Sequence, residues 1–262
     1  MTNELTKLKY TQKEKPMSDN NPYVPESENT PMTGNFTILT NIFTAPSTAM
    51  TQVQERYSVA FPLLMTIILT GVVWFSYYTM IDYEWFIDYM VETSAGELSK
   101  AEQDQTRAGI SMMSPTVMGS ITAITAGIAI AIIYVIQAVY FLIVSNVNGD
   151  GYQFKQWLSF VSWTSMPILL TIFAMFAMLF ASASGQIAPD ALNPLSLNEL
   201  IFGLEPSKGL GKMLSTIHLP QLWSWAIMVI GYKTWTKKST ASSAMVVLTP
   251  FALIYLAWFL FI

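Results

Sequence analysis

The chain has 262 residues, of which 52% are hydrophobic and only 11% are charged, against roughly 25% charged in an ordinary soluble domain. A soluble fold of this size needs a charged surface, so the composition argues against a typical soluble enzyme, a disordered chain and a disulfide-rich secreted scaffold. The lack of Cys excludes disulfides and thiolate catalysis, and a single His excludes His-rich metal sites. The net charge of −4 offers no basic field for nucleic acid. We therefore expect no catalytic residue, no cofactor and no metal.

The amino-terminal region has two parts. Residues 1–35 contain four prolines and few apolar residues, which predicts a disordered cytoplasmic tail. In residues 36–58, apolar positions recur at steps of three and four, as on one face of an amphipathic helix; they are Phe36, Leu39, Phe43, Pro46, Met50, Val53 and Tyr57. Because proline suits only the first turn of a helix, we predict two short helices that meet near Thr44–Ala45. They either lie in the cytoplasmic membrane interface or pack under a helix bundle.

Residues 59–262 contain five apolar windows that are long enough, or nearly so, to cross about 30 Å of hydrocarbon as helices. They are Val59–Ile81, Gly119–Ser145, Val161–Ala183, Ile217–Tyr232 and Ala244–Ile262. All 13 Lys and Arg and all 17 Asp and Glu lie outside these windows, whereas a soluble core would carry charges along one face of each helix. We predict an all-α, polytopic membrane bundle with five transmembrane helices. The fourth window is the shortest.

The distribution of positive charge predicts the orientation of this bundle. Nine Lys and Arg residues lie on the side of the amino terminus and four lie on the opposite side. Cytoplasmic loops are enriched in these residues. We therefore expect a cytoplasmic amino terminus and a carboxyl terminus outside.

The first and third connections carry apolar residues that a solvent-exposed loop does not need. In the first, Ser99 and Glu102 have the spacing of a capping box, which predicts a helix from Lys100 to Met113. In the third, Ser196 and Glu199 repeat that spacing before a strongly apolar stretch. Such surface must be covered by membrane, bundle or another protein. The candidate partner-docking residues are Trp85, Phe86, Leu200, Ile201 and Phe202, and packing on the membrane surface is the alternative.

Small residues recur every fourth position in the second and third windows, which lets helix backbones approach closely. The predicted helix-packing residues are Gly119, Ala123, Gly127 and Ala131 in the second window, and Ala177 and Ala181 in the third. We expect these two spans to form the closest pair in the bundle.

The windows hold few groups that could carry chemistry. Intramembrane ionisable residues normally mark proton or ion pathways, and the windows contain only His218. A proton-coupled carrier is therefore disfavoured. Gln137 is the most conspicuous polar residue within a span, either as an interhelical hydrogen-bond partner or as a ligand for a solute. Asn148–Gly151 has the composition of a tight turn.

The order of these features resembles the Yip-domain (Ypt-interacting-protein) family of five-span membrane proteins. The resemblance rests on Asn41–Pro46, on residues 148–155, on Ser165–Pro167, on Trp223–Trp225 and on Gly231–Lys233. This resemblance implies a non-enzymatic membrane protein. Eukaryotic members of the family act in vesicle trafficking, and some bacterial members accompany ABC exporters and their periplasmic adaptors. The Asp-Leu-Tyr-Gly-Pro stretch of many eukaryotic members is absent here, which favours a member of the bacterial inner membrane.

Three functions follow from these observations. The first is an interaction or accessory subunit whose partners are the lipid bilayer and other membrane proteins, among them an ABC exporter and its periplasmic adaptor. The second is a passive carrier or small pore, alone or as a homo-oligomer, with a polar path near Gln137 and the Ser162–Ser165 cluster. The third is a trafficking adaptor that binds small GTPases.

Overall fold

The computed structural model describes residues 34–95 and 98–262, and the predicted tail lies almost entirely outside them. In this part of the chain all regular structure is helical. The helices are α1 (Asn35–Thr44), α2 (Pro46–Arg56), α3 (Ala60–Met80), α4 (Tyr83–Ala95), α5 (Lys100–Ser111), α6 (Pro115–Asn148), α7 (Phe154–Thr164), α8 (Ile168–Ala181), α9 (Gly209–Thr216), α10 (Leu219–Thr236) and α11 (Thr240–Leu260). A 3₁₀ turn at Pro189–Ala191 and a π-helical turn at Asn198–Phe202 lie between α8 and α9.

The break between α1 and α2 falls where the sequence predicts it. Pro46 occupies the first turn of α2, and Ala45 leaves the helical conformation before it. Met50 and Val53 of the predicted apolar stripe are fully buried. In α1 the predicted residues Leu39 and Phe43 pack against the core, but Phe36 is 73% exposed, and the fully buried positions are Ile38 and Ile42, which the stripe did not include. Helix α1 is apolar on two sides, and its packing under the bundle selects the side that carries the two isoleucines.

Four helical stretches are long and apolar enough to cross a membrane: α3, α6, α7 together with α8, and α11. With 34 residues, α6 is about 51 Å long and exceeds the thickness of the hydrocarbon. The α7–α8 stretch is interrupted at Ser165–Pro167. Before this break the hydroxyl of Thr164 donates to the Phe160 carbonyl at 2.9 Å, within the last turn of α7.

The predicted fourth window corresponds to α10, which is not one of these four stretches. Its 18 residues span about 27 Å. The helix packs against α2, α7, α8 and α11 and buries Ile227, Met228, Tyr232 and Trp235. Helix α10 also carries polar residues, among them Gln221 and Lys233, which make it less apolar than the four candidate stretches.

The bundle has two ends, which we name by their contents. At the loop face lie α4, α5 and the segment between α8 and α10, and here the Tyr77 hydroxyl donates to the Ile187 carbonyl at 2.7 Å. At the turn face lie α1, α2 and the α6–α7 and α10–α11 turns, where Lys238 Nζ lies 3.3 Å from Asp150 Oδ2. Gly149 and Gly151 both have positive φ in the α6–α7 turn, as the composition of that turn predicts.

The capping box at α5 is present as predicted. The Ser99 hydroxyl accepts the Glu102 N–H at 3.4 Å, and the Glu102 carboxylate accepts the Ser99 N–H at 2.9 Å. The helix ends at Ser111 rather than Met113, and Pro115 lies in the first turn of α6.

Candidate functional site

The small-residue stripe of α6 faces the first span rather than the third. A Cβ on Gly119 would lie 3.2 Å from the Phe75 carbonyl oxygen of α3, and one on Gly127 would lie 3.0 Å from Ile67. Gly71 of α3 in turn lies opposite Ala123, and Ala131 is half-buried further along α6. The close pair is therefore α3 and α6, which differs from the expected pairing of the second and third spans.

In the third span the two alanines lie on the outside. Ala177 and Ala181 are exposed, while α8 turns its larger side chains Leu169, Ile172 and Leu179 toward the core. The reason is packing: here the helix fills space between its neighbours with branched side chains instead of approaching another backbone.

The docking residues predicted in the first connection pack against other residues of the same chain. Phe86 is only 3% exposed and makes edge-to-face contacts with Tyr77 and Tyr78. Trp85 is half-buried and stacks on Tyr89 at 5.4 Å between ring centroids. Helix α4 folds back onto the loop end of the bundle and uses its aromatic residues there, so Phe86 offers no surface to a partner.

The residues predicted in the third connection are exposed. Leu200, Ile201 and Phe202 are 46%, 67% and 51% exposed, and we call these three residues the loop-face patch. The side chain of Asn198 holds the π-helical turn that carries them, because its amide donates to the Leu204 carbonyl at 2.9 Å and accepts the Leu204 N–H at 3.1 Å. The patch is thus presented by a hydrogen-bonded turn.

At the turn face an aromatic cluster joins α2, α6, α7 and α10. It consists of Phe141, Trp157, Phe160, Tyr232 and Trp235, all at most 3% exposed. The Trp235 indole donates to the Met50 carbonyl at 2.8 Å, and the Tyr152 hydroxyl donates to the Trp235 carbonyl at 2.8 Å. Two of the segments that carry the family resemblance reach this cluster: Gly231–Lys233 contributes the buried Tyr232, and residues 148–155 contribute Tyr152, whose ring contacts Trp157 and Trp235.

A chamber of about 300 Å³ lies between α3, α6, α8, α10 and α11. Gln137 and Gln221 both line it, and the Oε1 atom of each is buried without a hydrogen-bond partner among the described residues. Sequence reasoning identified Gln137 but missed Gln221. The sequence feature that could have identified Gln221 is its spacing of three residues from Ser224, which puts two polar residues on one face of α10.

A second cavity of about 360 Å³ opens beside the chamber toward the loop face, and the two share Thr70, Ile168 and His218 as lining residues. Asp190 and Lys212 also line this second cavity. Burial raises the pKa of the Asp190 carboxyl, and the nearby Lys212 ammonium partly offsets that shift. His218 Nδ1 accepts the Gln221 N–H at 3.2 Å, so this nitrogen is unprotonated.

Neither cavity has the donor set of a metal centre. Within residues 34–95 and 98–262 no group of three or more His, Asp or Glu side chains is placed to hold a metal ion.

Comparison with known proteins gives one match. The family model described as "Yip1 domain" matches residues 40–261, which is most of the chain. No curated protein and no solved structure matches the sequence.

Proposed function

Because the chain belongs to the Yip1 domain family, we propose that it is a non-enzymatic integral membrane protein that acts as an interaction subunit of a larger membrane assembly. The observation that carries this proposal is the loop-face patch. Three large apolar side chains are held out by a hydrogen-bonded turn, next to the exposed ion pair of Glu205 and Lys208. Exposed apolar surface rimmed by charge is typical of protein interfaces.

The proposal includes five membrane crossings, with α10 as the fifth. His218, before the start of α10, lies 3.1 Å from Thr171 of α8, while Trp235 near its end bonds to α2 at the turn face. Helix α11 begins beside the Lys238–Asp150 pair and ends near Gly209 at the loop face. Because α11 starts at the turn face while α8 ends at the loop face, the chain must return to the turn face between them, and α10 is the long helix in that segment, which supports a crossing by α10 despite its polar surface.

The excess of Lys and Arg at the turn face supports a cytoplasmic location for that face. The loop-face patch would then lie outside the membrane of a bacterial cell. A partner that binds it needs an apolar surface on that same side, and the periplasmic adaptor of an ABC exporter has the required location. This partner, and the bacterial inner membrane, are the specific form of the proposal.

Photo-cross-linking tests the proposal directly. A benzophenone amino acid at Phe202 should cross-link to a second protein in native membranes, and that protein should co-purify with the chain in mild detergent. The matched control is Phe173 on α8, which is 60% exposed on a candidate span and should cross-link to lipid. Recovery of the chain alone, with Phe202 behaving like Phe173, would show that the patch packs on the membrane surface.

A further inference from the structure

The chamber between α3, α6, α8, α10 and α11 is the feature that an interaction role leaves unexplained. Native proteins rarely leave buried polar groups without partners. Here two amide oxygens, those of Gln137 and Gln221, line one cavity without receiving a hydrogen bond from any described residue. Both oxygens are acceptors, so each requires a donor from whatever occupies the chamber.

Two hydroxyl groups of the chamber add acceptors to its wall. Thr66 donates to the Pro62 carbonyl at 3.0 Å, and Ser224 donates to the Pro220 carbonyl at 3.0 Å. These two hydroxyls have therefore used their hydrogens within their own helices and keep lone pairs as acceptors.

The lack of charged residues in the chamber wall indicates that its ligand is uncharged. The described residues that line the chamber include no Asp, Glu, Lys or Arg, and its remaining walls are apolar, with Trp225 stacked on Phe251 at 4.7 Å. An ion would have no opposite charge there, and burying an unpaired charge is costly. Its volume of about 300 Å³ matches the lower end of ligand pockets, which span about 300–1,000 Å³.

The second cavity lies directly beside the chamber, on the side of the loop face. The two share Thr70, Ile168 and His218 as lining residues, and Asp190 and Lys212 also line the second cavity. These two residues carry opposite charges, so the second cavity favours neither anions nor cations. The turn end of the bundle is filled by the aromatic cluster.

From this geometry we propose that the chamber is a binding site for a small uncharged molecule with at least two N–H or O–H donors, such as a primary amide or a small polyol, which enters from the loop face and donates to Gln137 and Gln221. This site goes beyond the interaction role proposed above and does not depend on it.

The absence of native Cys makes thiol protection a clean test, with the full chain in nanodiscs. Ser224→Cys and Ser165→Cys place a thiol in the chamber wall, and Ser159→Cys is the control, because Ser159 is fully buried and bonds to Ser58 elsewhere in the bundle. Methyl methanethiosulfonate should modify the two chamber thiols and leave the control unmodified. Acetamide should slow the modification, and N,N-dimethylacetamide, which has no N–H donor, should not.

The amide side chains are tested in the same assay. Gln137→Leu or Gln221→Leu in the Ser224→Cys background should weaken protection by acetamide by about 2- to 10-fold, as expected for the loss of one hydrogen bond. Modification without acetamide should keep its rate, which shows that the variant is folded; if one variant does not fold, the other carries the test.

Three outcomes would overturn the proposal. Chamber thiols that react in detergent but not in nanodiscs would mean that a lipid chain fills the cavity. Equal protection by acetamide and dimethylacetamide would mean that hydrogen bonding is irrelevant. Protection that survives both glutamine substitutions would place the bound molecule elsewhere.

Discussion

Replacing Gly231 with alanine tests how tightly α10 fits against α2 and α7. A Cβ at this position would lie 2.8 Å from Phe160 Cε2, 2.8 Å from Met50 Cε and 3.0 Å from Met50 Cγ. The methionine end can move, but the Phe160 ring is held by Trp157 and Trp235 at centroid distances of 5.3 Å and 5.1 Å. Overpacking costs about 1–3 kcal/mol, and the helix propensity of alanine returns about 1 kcal/mol. The difference between these two terms is a net destabilisation of up to about 2 kcal/mol, and we expect the upper part of that range because the Phe160 ring is held in place.

The measurement is unfolding in detergent, followed by tryptophan fluorescence. Gly109→Ala in α5 is the matched control, because a Cβ there meets nothing within 4 Å and alanine should stabilise that exposed helix slightly. In a double-mutant cycle, Met50→Ala should remove part of the penalty of Gly231→Ala, since the new methyl group enters the vacated space. If Gly231→Ala is as harmless as Gly109→Ala, the close fit of α10 described above is wrong.

Three further predictions concern the loop face and the topology. Because burial raises the pKa of the Asp190 carboxyl, the folded state loses stability as the pH rises from the ordinary pKa through the raised one. Asp190→Asn should therefore raise the melting temperature at neutral pH. If the variant still melts at a higher temperature than the unsubstituted protein at pH values below the ordinary pKa, this reasoning is wrong. Hydrogen bonds from the Ser99 hydroxyl and N–H lower the pKa of the Glu102 carboxyl, so the carboxylate half of the cap is intact above the ordinary pKa and is lost as the pH falls through the lowered one. Ser99→Ala should speed amide exchange at the start of α5, and the difference from the unsubstituted protein should shrink at acid pH without vanishing, because the Ser99 hydroxyl still accepts the Glu102 N–H there. An impermeant maleimide should label Gly109→Cys and Ala241→Cys from opposite sides of the membrane, and labelling from the same side would refute the five-span proposal.

The features that sequence reasoning located correctly depend on the residue itself. Pro46 cannot continue a helix interior, so the junction of α1 and α2 follows from covalent geometry. Ser99 and Glu102 satisfy each other across a single helical turn, and Gly149 provides the positive φ of the α6–α7 turn. Each of these requirements is local, so no knowledge of neighbouring helices is needed.

The features that it missed depend on which helices are neighbours. Ile38 of α1 is buried in place of Phe36 because two faces of that helix are apolar and tertiary packing chooses between them. From the sequence alone Phe86 is predicted to be available to a partner, but α4 packs back on the bundle and places this ring against Tyr77 and Tyr78. Ala177 has the same spacing as the α6 glycines, yet it faces outward, because a small side chain permits a close approach without requiring one.

The uninterrupted length of α6 has a mechanical consequence. The α7–α8 stretch is broken at Ser165–Pro167, whereas α6 runs from Pro115 to Asn148 as one rod. Over about 51 Å, a tilt of about 5° displaces the far end by about 4 Å. A tilt of α6 at the loop face near Pro115 would therefore appear at the turn face as a sideways shift of Asn148.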